Sequence, residues 1–321
     1  MKLLRGFRPI PAFSGGTVAT IGNFDGVHLG HQALLAQLKA KAVELQLPLV
    51  ILLFEPQPIE FFRGQQAPAR LSSLREKLDI LAKCEIDYVY CLQFNKKLAE
   101  MSSEHFAKSF IFSLLKVKYL LIGADFRFGN ARLGDVELLG NLAGHEDCVI
   151  DTFPDFIQKN QRVSSTKIRE TLARGDLNEA ASLLGRSYSL CGRVIAGAGR
   201  GRQWGIPTAN LAMTRLALPL TGVFCVQVRR FNGAVLNGVA NLGRRPTVDG
   251  TKNVLEINLF DFNSNLYGEM LQVYFLHKLR DEIKFSSQND LIAQIHNDVA
   301  AAKAKFSVGC MELNTMPYAL L

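Results

Sequence analysis

Residues 17–46 read TVATIGNFDGVHLGHQALLAQLKAKAVELQ. Residues 17–22 form an apolar run that enters a glycine-rich turn. From residue 31, Leu34, Leu35, Leu38 and Ala42 recur at helical spacing, and Pro48 ends the pattern. The next run, LVILLF at 49–54, reads as a second buried strand. The unit then repeats: a helix at 74–84 and a strand at 88–94, then a helix around 105–115 and strands at 119–123 and 148–153. Continuous apolar strands separated by helices predict a doubly wound α/β fold, a parallel sheet covered on both faces. Ligands of such sheets gather at the carboxyl ends of the strands.

From residue 187 the pattern changes to period two. SLCGRVI, GVFCVQVRRF, VLNGVANLG, VLEINLF and LQVYFLHKL read as strands separated by Gly and Asn turns. Asn232-Gly233, flanked by Phe231 and Ala234, is a hairpin signal, because that pair tolerates the positive φ angles of a tight turn. Leu291, Ile292, Ile295 and Val299 make the apolar face of a last helix. This half is expected to be a small antiparallel β-barrel with a terminal helix. The boundary lies near residues 183–187, which predicts domains at 1–184 and 185–321 and a C-terminal part able to fold alone.

The chain has 321 residues, 48% hydrophobic and 21% charged, a core-forming balance with room for two domains. No apolar run approaches the roughly 20 residues that span a bilayer, and the N-terminus lacks a signal-peptide pattern. The expectation is a cytoplasmic protein without membrane contact. Six scattered cysteines, none in a C-x-x-C pair, fit free thiols in a reducing compartment. The net charge of +8 is uneven: residues 1–180 carry 22 basic and 20 acidic side chains, residues 181–321 carry 15 and 9. A basic half suits nucleic acid or a small polyphosphate equally well.

Three stretches carry chemistry. GNFDGVHLGH at 22–31 places glycines and two histidines, His28 and His31, at a helix start, where free N–H groups and the helix dipole favour an anion. Two imidazoles three residues apart face the same way and suit phosphate oxygens. Polar caps without chemistry, or a metal cluster with Asp25, are the alternatives. Ser164, Ser165 and Thr166 precede Arg169 by one turn, an arrangement for an N-cap or a second phosphate clamp. GRVIAGAGRGRQWGIPTANL at 192–211 is a glycine-rich cationic loop ending in Pro-Thr-Ala-Asn. Such a loop suits a polyphosphate, and Thr208 and Asn210 offer neutral oxygens to a hard cation. An RNA-contacting loop is the rival.

The first stretch resembles the H-x-G-H signature of the nucleotidyltransferase superfamily, as carried by bacterial bifunctional riboflavin kinase/FAD synthetases. The resemblance runs along nearly the whole chain: FEPQP at 54–58, GADFRFGNARLGD at 123–135, RVSSTKIRE at 162–170, the P-T-A-N loop, GVANLGRRPT at 238–247, LEINLFDFNSNLYG at 255–268 and LRDEIKF at 279–285. Gln57 stands where the family usually has His; it donates a hydrogen bond but does not titrate. The resemblance implies that the C-terminal half phosphorylates riboflavin with ATP to FMN and the N-terminal half adenylylates FMN to FAD, both with Mg²⁺. By the same resemblance, Gly22, Asn23, Phe24, Gly30, His28, His31, Ser164, Ser165, Thr166 and Arg169 hold ATP during adenylylation, without a covalent intermediate. Asp125, Phe126 and Phe128 lie by the nucleotide and flavin; ordinary core packing is the alternative for the two aromatics. In the kinase half, Gly197, Gly199, Arg200 and Gly201 take ATP, and Thr208 and Asn210 hold the metal. Glu256 is the base, and Arg280 lies at the flavin end. The positive charge then answers polyanionic substrates (ATP, FMN), with no nucleic-acid partner.

Overall fold

The computed structural model describes residues 1–6, 13–197, 199–213, 215–247 and 250–309. Cys310 and the tail beyond residue 309 lie outside the described residues, and of the Arg200 call only the backbone is described. The chain forms two compact units. Among the described residues, one holds Met1–Pro68 and Lys77–Ser164; the other holds Ala69–Glu76 and 165–309.

In the first unit the elements run β1 (Lys2–Arg5), β2 (Thr17–Ile21), α1 (Leu29–Leu45), β3 (Leu49–Glu55), α2 (Pro58–Arg63), α3 (Leu74–Lys83), β4 (Tyr88–Gln93), α4 (Lys96–Ala99) and α5 (Ser103–Phe106). β5 (Val117–Gly123), α6 (Val136–Ala143), β6 (Val149–Phe153), β7 (Ile157–Gln158) and β8 (Gln161–Arg162) follow. Six strands make one parallel sheet in the order β1-β4-β3-β2-β5-β6. β2 is buried along its whole length, as its unbroken apolar run requires. Leu34, Leu35, Leu38 and Ala42 are the buried face of α1. β1 is an edge strand that the periodicity does not show: three of its four residues are exposed, so it carries no apolar run. The helix expected around 105–115 starts as α5 and continues through Ala107–Leu114 with the wider π winding, burying Phe110, Ile111 and Phe112.

In the second unit α7 (Ser165–Arg174) and α8 (Leu177–Leu184) precede β9 (Ser189–Ile195), α9 (Arg200–Gln203), β10 (Ala209–Leu211), β11 (Gly222–Arg230), β12 (Val235–Thr247), β13 (Gly250–Leu259), β14 (Met270–Arg280) and α10 (Gln288–Ser307). The strands close into a barrel in the order β10-β13-β12-β11-β14-β9, with every neighbour antiparallel. The Asn232-Gly233 hairpin joins β11 to β12, with Gly233 at φ 88°. Val299, Ala302 and Phe306 of α10 pack against Val223, Cys225 and Val239. Burial pushes the Cys225 thiol up to about 11.

Packing divides the chain at 164/165, twenty residues before the change of sequence pattern, because α7 and α8 lie in the second unit. At the turn between them Gly175 leaves no room for a Cβ beside the Lys278 side chain of β14. Ala69–Glu76 belongs there by its hydrogen bonds. The Glu76 carboxylate pairs with Arg215, the two side chains only 6% and 5% exposed, and accepts the Cys191 N–H at 2.6 Å. Arg215 also donates to the Arg70 carbonyl at 2.6 Å, Arg169 to the Ala69 carbonyl at 2.6 Å, and the Tyr188 hydroxyl to the Leu71 carbonyl at 3.2 Å.

This network qualifies the expectation that residues 185–321 fold alone. A fragment cut there buries Arg215 without Glu76, and breaking a buried pair costs about 3–5 kcal/mol. Urea unfolding is expected to show the fragment destabilised by that order, with Arg215→Met in the fragment recovering part of the loss. A fragment as stable as the unit in the full chain would remove Glu76 from this role.

Candidate active sites

In the first unit, β2 ends at the carboxyl edge of the sheet and Gly22 opens the turn. Phe24 and Val27 take positive φ angles of 46° and 40°. For a β-branched residue that conformation costs about 1–3 kcal/mol. Val27 is held in it by complete burial and by Gln32, whose amide donates to the Val27 carbonyl at 2.9 Å. The Asn23 carbonyl accepts from the fully buried Lys77. The loop is therefore fixed on both sides.

His28 is the N-cap of α1. Its Nδ1 accepts the His31 N–H at 3.3 Å, so its neutral imidazole carries the proton on Nε2. The His28 and His31 rings stack 3.7 Å apart at 18°, and Phe24 tilts against His31 at 4.8 Å. Gly30 packs closely below them: a Cβ there would stand 3.3 Å from the His28 ring and from Phe156. The two imidazoles face the same way, as their spacing predicts. Among the described residues no three His, Cys, Asp or Glu side chains gather as a metal site.

Asp125 is exposed and pairs with Arg162 at 2.9 Å; Arg162 also reaches Asp155 at 3.0 Å. Phe126 and Phe128 stack with centroids 5.6 Å apart, but Phe128 is buried in the core against Phe106, and only Phe126 is part exposed. Of this pair, core packing accounts for Phe128. Ser165, Thr166 and Arg169 open α7 in the second unit, and Arg169 spends its Nε–H on the Ala69 carbonyl.

The second constellation is set by strand register. Asn210 on β10 lies opposite Glu256 on β13, and Glu256 opposite Asn241 on β12. Leu255 and Ile257 are fully buried, so Glu256 points to the opposite side of the strand, half-buried. There it lines a cavity of about 380 Å³ with Gly199, Gly201, Thr208, Asn210 and Arg280. This removes Glu256 from the solvated-face alternative. The P-T-A-N segment is pinned: Asn258 donates to the Pro207 carbonyl at 2.8 Å, and the Gly201 carbonyl accepts from Ile206 at 2.8 Å and Trp204 at 3.2 Å. A Cβ at Gly197 would collide with the Asn210 amide. A second cavity of about 310 Å³, lined by Pro207, Thr208, Ala209, Phe262 and Tyr267, shares Thr208 with the first as a lining residue.

Residues 10–167 match the family described as FAD synthetase, and residues 184–306 the family described as riboflavin kinase. A bifunctional riboflavin kinase/FMN adenylyltransferase of Haemophilus influenzae is 46% identical over 96% of this chain and 100% of its own length. The chain belongs to the bifunctional riboflavin kinase/FMN adenylyltransferase family. The Escherichia coli member is 43% identical over 96% of this chain and 99% of its own. A crystal structure from Streptococcus pneumoniae, described as a macrolide-efflux protein, matches with TM-score 0.77 at 29% identity, covering 92% of this chain and 97% of that one. Among the described residues of this family member no helix is long and apolar enough to cross a membrane.

Sequence reasoning missed Trp204, Asn241, Asn258, Phe285 and Asp298, all of which line the larger cavity. Asn258 had a signal, since it shares the strand face of Glu256 two residues away. Asp298 sits inside the helical stripe of Leu291, Ile295 and Ala302, where an acid is out of place. For Gly197→Ala the displaced Asn210 is expected to lower riboflavin phosphorylation at least tenfold while adenylylation of added FMN is unchanged. Steady-state assay of the two reactions decides it; equal kinase rates would mean that Asn210 does not need that space.

Proposed function

We propose that this chain makes FAD from riboflavin in two ATP-dependent steps, with the kinase reaction in the barrel cavity and FMN adenylylation at the H-x-G-H loop. The proposed division of catalytic labour at 184/185 is supported by the matched spans 10–167 and 184–306, whose gap, residues 168–183, ends beside it. The observation that carries the kinase reading is the register of Asn210 with Glu256 inside one cavity, with Thr208 shared by the next.

In that reading riboflavin occupies the 380 Å³ cavity and the adenosine of ATP the 310 Å³ one, so the triphosphate crosses at Thr208 under the loop of Gly197, Gly199, Arg200 and Gly201. Glu256 accepts the proton of the ribityl hydroxyl as its oxygen bonds to the γ-phosphorus and ADP leaves. The donor set fits Mg²⁺: Thr208 and Asn210 bring neutral oxygens, as a hard cation held mainly by phosphates requires. When bound, the ion neutralises phosphate charge.

At the H-x-G-H loop the Nε2–H of His28 and the adjacent His31 stabilise charge on the α-phosphate of ATP by hydrogen bonding. The FMN phosphate oxygen attacks there and pyrophosphate leaves. The backbone of Gly22, Asn23, Phe24 and Gly30 borders that anion. The parts given to Ser164, Ser165, Thr166 and Arg169 in holding ATP, and to Asp125 and Phe126 beside the flavin, rest on the family motifs.

Two substitutions test the assignment, with FMN and FAD resolved by chromatography. Glu256→Gln keeps size but cannot take a proton, so kcat for riboflavin phosphorylation is expected to fall about 10²–10⁴-fold while FAD formation from added FMN persists. Kinase turnover at the parent rate would take Glu256 out of the mechanism. His28→Ala and His31→Ala are expected to do the reverse, severely lowering FAD formation while riboflavin is still phosphorylated. Parent-level FAD synthesis in either would leave that histidine a cap.

A further inference from the structure

Arg280 closes β14 and borders the larger cavity, yet its guanidinium is already engaged. Nε donates to Asp298 Oδ1 at 2.9 Å, Nη2 to Asp298 Oδ2 at 2.7 Å, and Nη1 to the Asp281 carbonyl at 2.9 Å. Asp298, on α10, has a side chain only 8% exposed and takes a further bond from the Gln294 amide at 2.9 Å. The Arg280 Cζ stands 5.9 Å from the centre of the Phe285 ring. One cation thus ties three things: the terminal helix, the backbone leaving β14, and an aromatic side chain of the cavity wall.

We propose that Asp298 is a positioning residue for riboflavin. It holds Arg280 as a strut that fixes Phe285 and the segment after β14 over the cavity. Arg280 is then not a free cation for a phosphate, because its charge is spent on a buried carboxylate in a two-bonded fork. The terminal helix becomes part of the substrate site: Leu291 and Ile295 line the cavity and Asp298 locks its rim. Ordering this wall before substrate arrives spares the substrate that cost. The consequence falls on the flavin, not on the nucleotide, whose proposed cavity does not include Arg280, Phe285 or Asp298.

This inference rests on reading the larger cavity as the flavin site, and the test separates the two. Trp204, the chain's only tryptophan, lines that cavity. Riboflavin is titrated against its fluorescence in the full-length protein, with and without ADP and Mg²⁺, and the kinase KM values for riboflavin and ATP are measured alongside. If riboflavin leaves Trp204 unquenched in the parent, the reading of the cavity falls and the inference with it. If it quenches, Asp298→Asn is expected to weaken riboflavin roughly tenfold in Kd and KM while the ATP KM moves less than twofold. The double variant with Arg280→Met is expected to be no worse than the worse single variant, since coupled residues are not additive. Additive losses, an equal rise in the ATP KM, or unchanged riboflavin binding in Asp298→Asn would each overturn it. Should Asp298→Asn fail to fold, Gln294→Leu, which removes only the bond that steadies Asp298, decides. A two- to threefold loss of riboflavin affinity supports the strut, and no change refutes it.

Discussion

The kinase constellation depends on one residue of strand register. Asn210, Glu256 and Asn241 lie opposite one another on β10, β13 and β12, and Leu255 and Ile257 alternate with Glu256 into the core. A slip of a single residue would turn the carboxylate into the barrel and two large aliphatic side chains out of it. Burying an unpaired carboxylate is prohibitive, and exposing two aliphatic side chains costs about 1.5–3 kcal/mol each. The hydrophobic core therefore selects the register that sets Glu256 opposite Asn210, and Asn258 fastens the P-T-A-N loop to the same strand through the Pro207 carbonyl. Stability and positioning are one requirement here.

The first unit solves the same problem with different geometry. Its central strands, β2 to β5, are parallel and largely buried, so the candidate site sits past their ends, on a loop. That loop is fixed by burial of Val27 in a strained conformation and by the Lys77 bond to Asn23. In both units a candidate side chain lies over a glycine: the His28 ring over Gly30, where a Cβ would be tight, and the Asn210 amide over Gly197, where a Cβ would collide.

The strands and helices with an unbroken periodic signal were legible in the sequence: β2, α1, β3, β4, β5 and the long strands of the barrel fall where the apolar pattern puts them. β1 and β10 were not, because an exposed four-residue edge strand and a three-residue strand give too few positions for a period. The motif residues were legible as types and spacings, and their grouping was not. Asn210 and Glu256 are 46 positions apart, and only the barrel brings them opposite. The pair of Glu76 with Arg215 spans 139 positions and looks in sequence like two ordinary surface charges. That is why the change of pattern near 183–187 and the packing division at 164/165 differ: pattern is local, and the contacts of Ala69–Glu76 are not.

The excess of positive charge invites a simple picture of arginines gripping phosphates, and three arginines of the motifs do not fit it. Arg162 is paired with Asp125 and Asp155, Arg280 with Asp298, and Arg169 donates to the Ala69 carbonyl. Each of the three holds protein in place through at least one of its N–H groups. Besides Arg200 of the kinase loop, the groups proposed to meet phosphate are the imidazoles of the H-x-G-H loop, backbone N–H groups, a threonine hydroxyl and an asparagine amide. Donors held rigidly stabilise developing charge without reorganising, so arginines that fix the surrounding protein serve the proposed sites without touching phosphate themselves.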